Sequence, residues 1–244
     1  MAEAVADPRR RVTQPGVIGR ALTLLAQGLK WLCLSLLFSV LIEWVGMRFW
    51  WPEEGLAHSR AMLAAEIGYL QGEFGRSLLT QDPAGYTREV ADTAHHLLFG
   101  VTRLAALVEW LNSAPTAQEG GWSARLREHL RPVVTYLVAA MQVTQVFAVR
   151  LAILTLATPV FLLFGLVALV DGLVRRDLRR WGGGRESSFV YHWAKRSALP
   201  LLVLAWVIYL ALPFSLHPSF VILPFATLFA LSLAVTASTF KKYL

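Results

Sequence analysis

Two charged residues stand where charge is costly. Glu43 is the only acidic residue well inside an apolar stretch, 31–47, and Arg150 opens a second such stretch, 151–170. A charge inside a bilayer costs about 2.5 to 3.5 kcal/mol on insertion scales, so an intramembrane carboxylate calls for a partner or a role. If the two stretches are antiparallel neighbours, Glu43 and Arg150 come within a helical turn of each other and form an intramembrane ion pair. Two other readings stay open. The Glu43 carboxylate reaches the outer interface, or it lines an ion pathway, which would ordinarily recruit more than one polar residue from the spans.

The remaining reactive residues do not assemble into a recognisable catalytic set. His95 and His96 are adjacent, so on a helix they point about 100° apart and do not readily share one metal. The His-Glu-x-x-His spacing of a zinc protease is absent. Gly182-Gly183-Gly184-Arg185-Glu186-Ser187 has the glycines of a phosphate loop but neither the Lys-Ser/Thr pair nor a preceding strand. Cys33 is the only cysteine, which excludes an intramolecular disulfide and a cysteine metal site. No Ser/His/Asp or Cys/His arrangement stands in a recognisable context. The expectation is a protein without catalytic residues, metal or cofactor.

The elements that carry these residues are set by apolar length and by the distribution of charge. Of the 244 residues, 56% are hydrophobic and 16% charged, against about a quarter charged in a soluble domain. Four apolar stretches predict four transmembrane helices, at 31–51, 150–170, 198–216 and 220–238. Lys and Arg outnumber Asp and Glu by five to two in 1–30 and by seven to three in 171–197, whereas 48–150 holds nine against ten. Positive charge in short membrane-flanking segments marks the cytoplasmic side. Both termini and the 171–197 loop are therefore expected in the cytoplasm, with 52–149 outside. The net charge of +7 is accounted for by lipid headgroups, and no direct contact with nucleic acid is expected. The run 31–47 is read as an uncleaved anchor, because Phe49-Trp50-Trp51-Pro52-Glu53 offers no small-residue cleavage site.

The fold class is thus all-α: a polytopic membrane protein with an extracytoplasmic helical bundle between spans one and two. Segment 1–30 is a cytoplasmic tail followed by an amphipathic helix that lies on the inner surface from Val17 and then turns into the first span. Two amphipathic segments, 56–79 and 87–111, form an αα-hairpin through Met62, Ile67, Leu70, Val90, Ala94, Leu97, Leu98, Val101 and Leu104. A third helix, 122–150, runs straight into the second span, kinked at Pro159. Arg175, Arg176, Arg179 and Arg180 share a helical stripe facing lipid. Ser188 to Arg196 is an interfacial segment, 198–216 and 220–238 form a tight hairpin across His217-Pro218-Ser219, and 239–244 is a cytoplasmic tail.

Arg179-Arg180-Trp181-Gly182-Gly183-Gly184-Arg185-Glu186-Ser187-Ser188-Phe189-Val190-Tyr191-His192-Trp193-Ala194-Lys195 resembles a segment of an uncharacterised family of membrane proteins encoded in integrating conjugative elements. The similarity extends over nearly the whole chain after the first 30 residues. It implies an inner-membrane component of a conjugative DNA-transfer apparatus related to type IV secretion, with a structural or assembly role. On that reading Arg185, Glu186, Tyr191 and His192 form a cytoplasmic docking segment for the coupling protein or secretion-channel subunits, or else settle the loop against membrane lipids. An exclusion-type membrane protein, which refuses incoming donors, is the alternative. A small transporter or channel is weaker still, because few polar residues fall inside the spans.

Overall fold

In a computed structural model, residues 17–73, 79–113, 121–182 and 188–240 are described, and among them the chain is helical without a strand. The first helix, α1 (Val17–Phe49), is 33 residues long, about 50 Å at 1.5 Å per residue. No proline interrupts the sequence between Pro15 and Pro52. The surface helix expected before the first span is therefore the lower part of one unbroken rod. Leu32 and Leu36 of α1 pack on the main core, and Glu43 and Met47 are buried higher up. Ile18, Leu22, Leu25 and Leu29 are exposed.

At the top of α1 the chain doubles back. The Trp51 N–H donates to the Gly46 carbonyl at 2.9 Å, and the Trp51 indole lies where a Cβ on residue 46 would be. Gly55, at φ +49, completes the reversal in a conformation open to glycine. Helix α2 (Leu56–Glu73) follows. Helix α3 (Pro83–His95) starts with proline in its first turn and with Asp82 accepting from the Gly85 N–H at 2.8 Å, a side-chain cap for a backbone donor that the helix leaves unpaired.

The second half of the expected hairpin is not one helix. A π-helical turn (His96–Gly100) and a left-handed Arg103 at φ 58 separate α3 from α4 (Leu104–Asn112). Continuing α3 would have followed the spacing through Leu97, Leu98 and Val101, yet those three are exposed. The break instead turns Val108 and Leu111 onto Val134 of the next helix, where they form a small separate cluster.

Helices α5 (Gly121–Leu156) and α6 (Thr158–Trp181) meet at Ala157. Pro159 has no N–H for the carbonyl four residues back. The helix stops and restarts with this proline in its first turn, a sharper interruption than the expected kink. The apolar run Pro132–Trp181 spans 50 residues, about 75 Å if straight and more than twice a hydrocarbon core. Helices α1, α2, α3 and α4 all pack along α5.

Helices α7 (Ser188–Ala211) and α8 (Ser219–Thr239) complete the fold. The segment expected to be a separate interfacial element, 188–196, is the lower end of α7. Helix α8 packs between α6 and α7. A Cβ on Gly172 of α6 would stand 2.5 Å from the Ala234 carbonyl oxygen of α8, so the two backbones touch through a small residue, as membrane helices favour. Ser232 of α8 donates to the Ala194 carbonyl of α7 at 2.6 Å. The α7–α8 connection is longer than expected, 212–218, because Pro213 cannot continue the helix. Among the described residues, four helical stretches are long and apolar enough to cross a membrane: Ile18–Phe49, Pro132–Trp181 (α5 and α6 together), Phe189–Ala211 and Ser219–Thr239.

Candidate functional site

Ser59, Met62, Glu66 and Leu70 recur every three or four residues on α2, which puts them on one face. All four are buried. A carboxylate in the middle of such a face requires donors, and α5 and α7 supply them. Arg150 Nε of α5 donates to Glu66 Oε1 at 2.8 Å, and the Tyr209 hydroxyl of α7 donates to Glu66 Oε2 at 2.8 Å. Arg150 Nη1 donates to the Leu212 carbonyl at 2.6 Å, and Nη2 to the Phe214 carbonyl at 2.8 Å. The guanidinium carbon lies 5.5 Å from the Tyr209 ring centre. Glu66 and Tyr209 are 0% exposed and Arg150 is 2% exposed, so these are charge-assisted bonds shielded from water.

The bonded groups form a clamp around the α7–α8 connection. The backbone past Ala211 leaves carbonyls without helical partners, and the arginine fork takes two of them. The Ser215 hydroxyl donates to the Met62 carbonyl at 3.0 Å, Tyr69 meets His217 with ring centres 5.0 Å apart, and Ser39 of α1 donates to the Leu210 carbonyl at 3.1 Å. Ser59 donates to Gln142 of α5 at 2.6 Å. Four helices and one connection are thereby held together by polar contacts spread over about three turns of α2.

Glu43 lies at the edge of this clamp with a partner of its own. Nδ1 of His58 is 3.2 Å from each carboxylate oxygen, and the imidazole stacks on Trp51 at 4.0 Å between ring centres and 16° between planes. The expected Glu43–Arg150 pair is therefore not formed. The two border one narrow cavity with Ser39 and Met62, but α2 returns alongside and gives each a nearer partner. His58 and Glu66 belong to a segment that reads as a separate outer hairpin, so the sequence offered no reason to bring them to the spans. The usable signal was Glu66 itself, one turn from Met62 on one side and from Leu70 on the other.

The four arginines of the α6 stripe are not equivalent. Arg175 pairs with Asp171 at 2.8 Å on the surface, and Arg176 with Asp177 at 3.4 Å. Arg179 donates to the Ser238 carbonyl at the end of α8, which suits a cation at a helix C-terminus. Arg180 is exposed. On α7, Tyr191 faces Phe240 at 6.0 Å and His192 at 5.3 Å, and the Lys195 ammonium lies 5.7 Å from its ring. Arg185 and Glu186 lie outside the described residues, as do 183–187 of the glycine-rich run. His95 meets Phe99 across the π-helical turn. No group of three or more His, Cys, Asp or Glu among the described residues is placed to hold a metal.

Among the described residues these features define an all-helical protein with four stretches fit to cross a membrane and a buried ionic clamp where its helices converge. The chain belongs to the DtrJ-like family, described as IncC plasmid conjugative DNA transfer protein DtrJ-like, whose model matches residues 50–241. The matched region holds Glu66, Arg150, Tyr209 and the whole segment from Arg179 to Lys195. It bears out the expected tie to conjugative elements and implies a role in conjugative DNA transfer. No curated protein and no solved structure matches the chain.

Proposed function

We propose that the chain is a non-catalytic inner-membrane component of a conjugative DNA-transfer apparatus, with a structural or assembly role. Family membership over 50–241 carries this reading. Two physical features support it. The buried charged residues Glu66 and Arg150 are bonded to each other, to Tyr209 and to backbone carbonyls, an arrangement suited to holding helices in register. The basic residues cluster in 1–30 and 171–197, which favours both termini and the α6–α7 connection on the cytoplasmic side. Helices α2, α3, α4 and the upper part of α5 then form an extracytoplasmic bundle, and Glu43 stands near the outer interface.

On this reading the cytoplasmic ends of α6, α7 and α8 meet two partners. Arg175, Arg176 and Arg180 face lipid headgroups, and the segment containing Arg185, Glu186, Tyr191 and His192 docks a transfer protein such as the coupling protein or a secretion-channel subunit. Deleting the gene from a donor, and scoring transfer frequency beside co-purification with the secretion complex, tests the proposal. A transfer defect in the donor with loss of complex subunits is expected. Normal donor transfer combined with altered acceptance in a recipient would replace this reading with exclusion.

A further inference from the structure

The apolar seam of α1 outruns the bundle that covers it. Leu32 and Leu36, which pack on the main core, are the upper members of a line that continues down the helix through Leu29, Leu25, Leu22 and Ile18. The steps alternate between three and four residues, the spacing with which one helix packs along another. The lower four side chains are between 62% and 78% exposed, and a Cβ on Gly28 would have no neighbour within 4 Å.

Lipid tails do not cover the whole of this line. Ser39 of α1 donates to the Leu210 carbonyl of α7, which sets the two helices at one level there. Counted down from that bond at 1.5 Å per residue, Leu25 lies at about 21 Å, Leu22 at about 26 Å and Ile18 at about 32 Å. On α7 the exposed Lys195 and Arg196 lie at about 21 to 23 Å, and such a basic pair marks where the headgroup layer begins. Ile18 and Leu22 therefore stand beyond the tails with their apolar surface open. The helix cannot lie down to bury them, because it runs unbroken from Val17 to Phe49.

We propose that the lower seam of α1 is an interface with a second copy of this chain, which lays the same stretch of its own α1 against it in parallel. Two copies in one membrane bring Ile18, Leu22 and Leu25 to the same depth, so each meets its counterpart across a two-fold axis. The positions flanking the seam are Gly19, Ala21, Ala26 and Gly28, which are uncharged and small enough for helices to approach closely. Arg20 and Lys30 fall with Thr23 and Gln27 on the other side of the helix, so the segment pairs with itself although it is basic. Residues 1–16 supply little to cover the seam, since Met1, Val5 and Val12 are their only large apolar residues. Burial of the seam removes exposed apolar surface from water and headgroups. The pairing depends on the chain crossing a membrane and not on its role in transfer.

Disulfide cross-linking in native membranes tests this on the full chain, with the exposed Cys33 replaced by serine and two differently tagged copies co-expressed. Leu22→Cys and Leu25→Cys are each expected to give a product of twice the chain mass that carries both tags. Their yield should exceed that of Gln27→Cys about tenfold, because seam positions face one another across a parallel pair and the polar face points away. Equal yields from the two faces overturn the proposal, as does the absence of product from both seam cysteines. A seam product that joins one tagged copy to a protein of another mass overturns the second copy as occupant and assigns the seam to a different membrane protein.

Discussion

Arg150 must satisfy a planar set of N–H donors in a site closed to water, and its surroundings are arranged to do so. Removing it leaves the Glu66 carboxylate buried with one donor. Arg150→Met is expected to destabilise the protein by about 3 to 5 kcal/mol, read as a lower melting midpoint in detergent and a reduced steady-state level. The double variant Arg150→Met with Glu66→Met should be milder than the sum of the singles, because no unpaired charge remains. Double-mutant cycles should also give a larger coupling for Glu66 with Arg150 than for Glu43 with Arg150, since only the first pair is bonded. A larger Glu43–Arg150 coupling would restore the pairing that the two apolar stretches alone suggest. Glu43 and Arg150 were both recognisable as anomalies, because each stands in or beside an apolar run. Their partners were not, because Glu66 and His58 sit in a segment of mixed polarity where one more charge attracts no notice.

The helices divide by how strongly the chain constrains them. Helix α8 (Ser219–Thr239) nearly coincides with the predicted span 220–238, since apolar length and a following loss of hydropathy fix both ends. The π-helical turn and the left-handed Arg103 could not be read from spacing, because the competing faces of Leu97–Val101 and Val108–Leu111 are equally apolar and only packing on α5 chooses between them. Close contacts were likewise invisible before α6 and α8 were juxtaposed. Gly172→Leu should separate α6 from α8 and lower stability by about 1 to 3 kcal/mol, measured as a fall in melting midpoint. Gly68→Ala, on the exposed face of α2 with nothing within 4 Å of a new Cβ, should instead stabilise by about 0.5 to 1 kcal/mol through helix propensity. A Gly172→Leu midpoint at or above that of the parent would show the packing assigned to Gly172 to be wrong.

Over the whole molecule, the positions of charged residues predict the topology and the helices supply its scale. A reporter enzyme active only in the cytoplasm should work when fused after Gly182 and fail when fused after Glu54; the opposite result would invert the assignment of faces. The long-range bonds of the clamp have a further consequence, for biosynthesis. Glu66 and Arg150 emerge from the ribosome well before Tyr209, Leu212 and Phe214, which lie 143, 62 and 64 residues from their respective partners. Until the final hairpin inserts, the guanidinium and carboxylate have each other but not their remaining ligands. A nascent chain therefore lacks part of its buried clamp until its last two helices are made. Proteins truncated before residue 209 should turn over faster than the full chain in pulse-chase labelling, even though every earlier helix is present.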